Sequence, residues 1–149
     1  MTDPPLITTT EEETADAGAR LARVLRAGDV VLLYGELGAG KTAFVRGLAR
    51  GLGAPPTEVS SPTFTLIQEY AGEALTLHHV DLYRLEPAEI DDLGLDEIIS
   101  GDGIVAIEWA DRWPRRPIDA VEVWLTHAGG DQRRIAIRLR IDSAGSTGS

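Results

Sequence analysis

The chain has 149 residues, 43% of them hydrophobic, with 24 acidic against 14 basic side chains and a net charge of −10. That length suits one domain with a core of its own, and the acid excess disfavours a protein that grips nucleic acid by itself. The absence of cysteine excludes disulfide scaffolds and thiolate metal sites.

Met1 to Pro5 reads as a loose start, with neither a basic nor an apolar leader segment. No apolar run approaches a membrane span, so a soluble, cytoplasmic protein with no membrane partner is expected. Leu6 to Thr9 suits a short strand. Thr10-Glu11-Glu12-Glu13 reads as a capping box, with Thr10 at the N-cap and Glu13 three residues on. The helix that follows places Ala17, Leu21, Val24 and Leu25 on one face and is expected to end near Gly28.

Val30 to Tyr34 is apolar, short and followed at once by glycine, which predicts a buried parallel strand. A helix is predicted from Lys41 to Leu52, closed by Gly51 and Gly53. Thr57 to Pro62 reads as a polar loop. Phe64 to Tyr70 and Ala74 to Asp81 read as strands joined at Ala71-Gly72-Glu73. Pro87 to Ile99 suggests a short helix plus loop, and Ile104 to Ile107 a second buried strand ending in Glu108. Ala120 to His127 and Arg133 to Ile141 alternate around Gly129-Gly130-Asp131, a hairpin pattern. Residues 1–141 are read as a single domain and the small, polar residues 142–149 as a disordered tail.

Lys41 is the only lysine; the other 13 basic residues are arginines. It lies in Gly35-Glu36-Leu37-Gly38-Ala39-Gly40-Lys41-Thr42, a full match to G-x-x-x-x-G-K-[ST] between a predicted strand and a predicted helix. A phosphate cradle needs a compact ammonium on a flexible stem at this position, and a planar guanidinium has the wrong shape. Backbone N–H groups of residues 36–42 and the helix N-terminus are expected to hold the phosphates of ATP. Lys41 is expected to bridge the β- and γ-phosphates, and the Thr42 hydroxyl to ligate Mg²⁺.

Two acids stand at the ends of predicted strands, where a parallel sheet converges on the phosphate loop: Asp81 and Glu108. Either suits the metal, with the other orienting water; the assignment favoured is Asp81 on Mg²⁺ and Glu108 as the base that polarises water. Ser60-Ser61-Pro62-Thr63 occupies the position of a γ-phosphate switch, with Thr63 as the sensing hydroxyl and Thr65 behind it. His78 and His79 lack the partners of a transition-metal site. Tyr83 and Arg84 follow Asp81, and Arg84 suits either a phosphate or a surface ion pair. Trp109 suits a nucleotide flank or core packing; Trp113 and Trp124 read as packing residues. Arg133, Arg134, Arg138 and Arg140 form a basic strip that suits a polyanion or the exposed face of a strand.

Gly-x-x-Gly-x-Gly-Lys-Thr, Ser-Pro-Thr-Phe (61–64), His-x-Asp-x-Tyr-Arg (79–84) and Ile-Glu-Trp (107–109) occur in that order. Together they resemble the bacterial TsaE (YjeE) family, small P-loop ATPases of tRNA threonylcarbamoyladenosine modification, over about residues 10–140. The resemblance implies an α/β fold: a P-loop NTPase-like three-layer sandwich with a mixed, mainly parallel central sheet and a C-terminal hairpin. It implies ATP and Mg²⁺ as ligands, and TsaD and TsaB as partners, with tRNA reached only through their complex. It also implies that ATP hydrolysis, weak in the chain alone, resets that complex between rounds of modification at adenosine 37. The family's P-loop, its Mg²⁺-linked Asp and its essential Glu correspond to Gly35–Thr42, Asp81 and Glu108.

Two other readings of the residues stand beside this one. A small-molecule kinase lacks support from any arginine-rich lid segment after the central strands. A nucleotide-gated docking module would bind ATP without needing to hydrolyse it. A GTPase is disfavoured, because its Asn-Lys-x-Asp base-reading motif requires a lysine other than Lys41.

Overall fold

The computed structural model describes residues 5–36, 40–54, 67–83, 85–117 and 119–139. Leu37, Gly38, Ala39, the 57–62 loop, the Ser60–Thr65 switch with Thr63, Arg84, Arg140 and the tail lie outside the described residues. Chain order is β1 (Leu6–Thr8), α1 (Glu11–Ala22), β2 (Val30–Gly35), α2 (Lys41–Gly51), β3 (Ile67–Ala71) and β4 (Thr76–Asp81). It continues with α3 (Pro87–Asp91), α4 (Leu95–Ile99), β5 (Ile104–Glu108), a 3₁₀ turn (Ala110–Arg112), β6 (Val121–His127) and β7 (Arg133–Arg138).

The described strands form one seven-stranded sheet in the order β1-β7-β6-β2-β5-β4-β3. Its middle, β6-β2-β5-β4, is parallel throughout, while β7 and β3 pair antiparallel at its two sides. The mixed, mainly parallel sheet agrees with expectation, as does the β6–β7 hairpin.

Period-two alternation divides the core into two layers. Val31 and Leu33 of β2 face α1 and α2 together with Ile104 and Ala106 of β5. Val30 and Leu32 face the other way, towards Ile90 of α3, Leu95 of α4 and Trp113. Helices on both faces account for the continuous apolar run of β2, which lies between β5 and β6 and is buried on both sides. The α1–α2 layer is tight. A Cβ on Gly47 would lie 1.7 Å from the Ala15 carbonyl oxygen, and one on Gly18 would lie 2.1 Å from that of Phe44.

Three expectations need correction. Thr10 does cap α1 by accepting from the Glu13 N–H, but the short bonds of the Glu13 carboxylate are from the N–H and hydroxyl of Thr9, one residue before the N-cap. The helix ends at Ala22, six residues short of Gly28. There, i→i+3 bonds tighten the chain, and Gly28 donates instead to Gly103 O beside β5. Val24, beyond the helix end, is 49% exposed and does not share the buried face of Ala17 and Leu21. Finally, residues 87–99 form two short helices, because Gly94 at φ 75° reverses the chain and opens the second.

Candidate functional site

Lys41 is the first residue of α2, behind an N-cap Gly40 at φ 101°, a left-handed conformation open to glycine. Its ammonium donates to Gly35 O at 2.5 Å and to Glu36 O at 2.8 Å, both at the end of β2. The same Nζ lies 4.2 Å from the centroid of the Trp109 ring. Lys41 is 5% exposed. Burial lowers its pKa, opposed by the negative charges of Glu108, Asp81, Asp111 and Glu36.

The parallel register between β4 and β5 pairs Asp81 with Glu108. Residues two and four positions back, His79 and Leu77 on β4, and Ala106 and Ile104 on β5, are buried, with Leu77, Ala106 and Ile104 packed in the α1–α2 layer. Both acids therefore leave the sheet on the face that carries the first turn of α2. Asp81 accepts from the Tyr83 N–H at 2.9 Å. Burial raises its pKa, the Tyr83 bond opposes this, and the Glu108 charge adds to the rise. Glu108 is 3% exposed, and its Oε2 lies 2.5 Å from Nε2 of the fully buried His79.

These groups share a cleft of about 450 Å³. Gly40, Lys41, Thr42 and Arg46 line it from the α2 side, and Asp81, Tyr83, Glu108 and Trp109 from the strand ends. The cleft is of ligand size. Trp109 is the one non-glycine residue with positive φ among those described, at 59°. Such a backbone is strained for a bulky residue and is found where a site demands it. Its ring meets Tyr83 at 4.7 Å between centroids, and Arg112 lies 5.8 Å from the Tyr83 centroid.

The structure thus brings together Gly35, Glu36, Gly40, Lys41, Thr42, Asp81, Glu108 and Trp109, all singled out in the sequence. It sets Arg133 of the basic strip apart from Arg134 and Arg138, which share the other face of β7. Arg133 borders the cleft, whereas Arg138 pairs with Glu122 and lies over Trp124. Adjacent strand residues point to opposite faces, so a run of arginines in a strand is divided by the pleat. Trp113 is buried in the core, and Trp124 stacks on Tyr34. Sequence reasoning missed the outer walls of the cleft: Thr9, Thr10 and Thr14 from the start of α1, and Asp131 from the hairpin turn, beside which Arg133 of the basic strip opens β7. The available signal was the strand-helix order at residues 6–22, which brings a second helix N-terminus to the cleft beside Lys41.

Comparisons with known proteins point in one direction. The family model described as "Threonylcarbamoyl adenosine biosynthesis protein TsaE" matches residues 8–135. A protein of Nostoc sp. named "tRNA threonylcarbamoyladenosine biosynthesis protein TsaE" is 46% identical over 131 residues, covering 85% of this chain and 80% of its own. The protein of the same name from Bacillus subtilis is 43% identical over 129 residues, covering 86% and 80%. The crystal structure of Bacillus subtilis YdiB superposes with a TM-score of 0.72 at 34% identity, covering 92% of this chain and 86% of that one.

Proposed function

Because the chain belongs to the TsaE family of threonylcarbamoyl adenosine biosynthesis proteins, we propose that it is the ATP-hydrolysing component of that tRNA modification. In this reading it works in the cytoplasm on a TsaD–TsaB complex and reaches tRNA only through it. Among the described residues no helix is long and apolar enough to cross a membrane.

One observation carries the reading: the only lysine of the chain, buried at the head of α2, shares its cleft with the Thr42 hydroxyl and the carboxylates of Asp81 and Glu108. An ammonium, a helix N-terminus and oxygen donors suit a triphosphate with a hard divalent cation. Among the described residues no group of three His, Cys, Asp or Glu side chains is arranged to hold a metal alone. Mg²⁺ commonly takes only one or two carboxylates and completes its shell with phosphate and water.

Gly35 to Thr42 would hold the phosphates, including Leu37, Gly38 and Ala39, with Trp109 flanking the nucleotide. Thr42 and Asp81 would hold Mg²⁺, which when bound neutralises phosphate charge. Glu108 orients the attacking water and accepts its proton as the bond to the γ-phosphorus forms and the bridging oxygen leaves with ADP. Thr63 would sense the γ-phosphate. The Lys41 ammonium stabilises charge that develops on the transferred group.

The test is Mg²⁺-dependent phosphate release from ATP by the purified chain, alone and with the TsaD–TsaB pair. A clear rise on adding the pair is expected. Tight ATP binding with no rise would favour a kinase or a docking module over this reading.

A further inference from the structure

Glu108 is 3% exposed and borders the cleft. The terminal torsion of a glutamate is soft, so the carboxylate of a water-orienting base needs something to hold it at one angle. His79 lies on β4, where the register pairs it with Ala106 and pairs Asp81 with Glu108. It is fully buried, and its Nε2 lies 2.5 Å from Glu108 Oε2. A carboxylate is an acceptor, so Nε2–H donates. Among the described residues this is the one hydrogen bond of the Glu108 carboxylate.

A buried histidine in a core commonly donates to a backbone carbonyl and serves packing alone. This one donates to the acid of the cleft. An apolar residue in its place would leave a buried carboxylate without a donor. We infer that His79 is the positioning residue of Glu108: it holds Oε2 from behind the strand ends and so presents Oε1 to the cleft, where water is activated. The inference rests on the reading of Glu108 as the water-orienting base.

The experiment uses the full chain with the TsaD–TsaB pair, ATP and Mg²⁺. His79→Leu is expected to lower kcat by roughly 10- to 100-fold, the range for removing a group that orients a reactive one, with little change in the ATP concentration at half-saturation. His79→Gln, whose amide N–H reaches as far as Nε2, is expected to restore most of the rate. His79→Asn, polar but too short, is not, and it serves as the loss variant should His79→Leu fail to fold.

A second readout needs no nucleotide. The chain has three histidines, so NMR can assign them, and the Nε2–H proton of His79 is expected far downfield, moving upfield in Glu108→Gln. Wild-type kcat in the loss variant, equal rates in the Gln and Asn variants, a half-saturation that rises as kcat falls, or no such proton would each overturn the inference. If the parent chain hydrolyses no ATP with the pair present while the downfield proton is seen, the hydrolytic reading falls and takes the positioning role with it. Equal hydrolysis by the parent and the loss variant overturns the inference alone.

Discussion

Asp81 and Glu108 are register partners at the ends of two adjacent parallel strands, so their carboxylates leave the sheet side by side at the head of α2. Two acids this close, both withdrawn from water, disfavour each other's charge. The buried ammonium of Lys41 in the same cleft offsets part of that cost.

A trade of stability for function follows at Asp81. Its folded-state pKa is raised by burial above its usual value, so the native chain binds more protons than the unfolded one in the window above the usual carboxylate pKa. Stability therefore falls as pH rises through that window, and the cost persists at neutral pH. Asp81→Asn removes the charge and keeps an oxygen for the Tyr83 N–H. In metal-free buffer at pH 7 the variant should melt higher than the parent. The difference should shrink as pH falls towards about 4 and vanish well below it, where the parent carboxyl is protonated in both states. Thermal unfolding followed by circular dichroism across pH checks this, and a lower melting temperature at pH 7 would sink it. The same variant should lose Mg²⁺-dependent hydrolysis.

Glu108→Gln keeps the shape of the side chain and removes its basicity. Turnover should fall by roughly 10²- to 10⁴-fold, the usual contribution of a general base, while ATP still binds. Phosphate release and calorimetric titration with ATP separate the two effects. Normal turnover would remove Glu108 from its proposed role.

Lys41→Arg preserves charge but not shape. The ammonium now fits between Gly35 O and Glu36 O beneath the Trp109 ring, a space that a planar five-donor fork does not match. ATP affinity should drop by about tenfold or more, or about 1.4 kcal/mol. Parent-like affinity by calorimetry would show that charge alone suffices. Thr42→Ala should instead leave much of the ATP binding and abolish the Mg²⁺ dependence of turnover.

Gly47→Ala and Gly18→Ala test the α1–α2 layer. Alanine favours a helix over glycine by up to about 1 kcal/mol. Here the added Cβ would meet the carbonyl oxygens of Ala15 and Phe44 at 1.7 and 2.1 Å, so the helices must separate. Each variant should lose about 3 kcal/mol or more, at or beyond the upper end for overpacking. Urea unfolding measures it, and a neutral or stabilising effect would mean the helices can part cheaply.

Much of the architecture was legible because its causes are local. The apolar run at 30–34, the glycines after it and the lysine that follows state a strand, a tight loop and a helix within a dozen residues. The alternation on either side of Gly129-Gly130 states a hairpin in the same way. Helix ends were less legible: α1 stops at Ala22, and Gly28, which reads as its cap, bonds instead to Gly103 from a distant segment.

By itself the sequence determined the glycine-lysine motif between β2 and α2, the position of an acid at the end of each of two apolar strands, and the family. Each depends on the order of residue types along a short stretch. Tertiary structure decided which acid faces which. The register of β4 on β5 sets Asp81 beside Glu108 and brings His79 to Glu108 across 29 residues of chain. It also decided that Trp109 covers Lys41, that two glycines let α1 and α2 touch, and that Arg133 reaches the cleft while Arg138 does not. These relations depend on strand pairing and helix crossing between segments far apart in the chain, whereas hydrophobic period and turn chemistry act only between near neighbours.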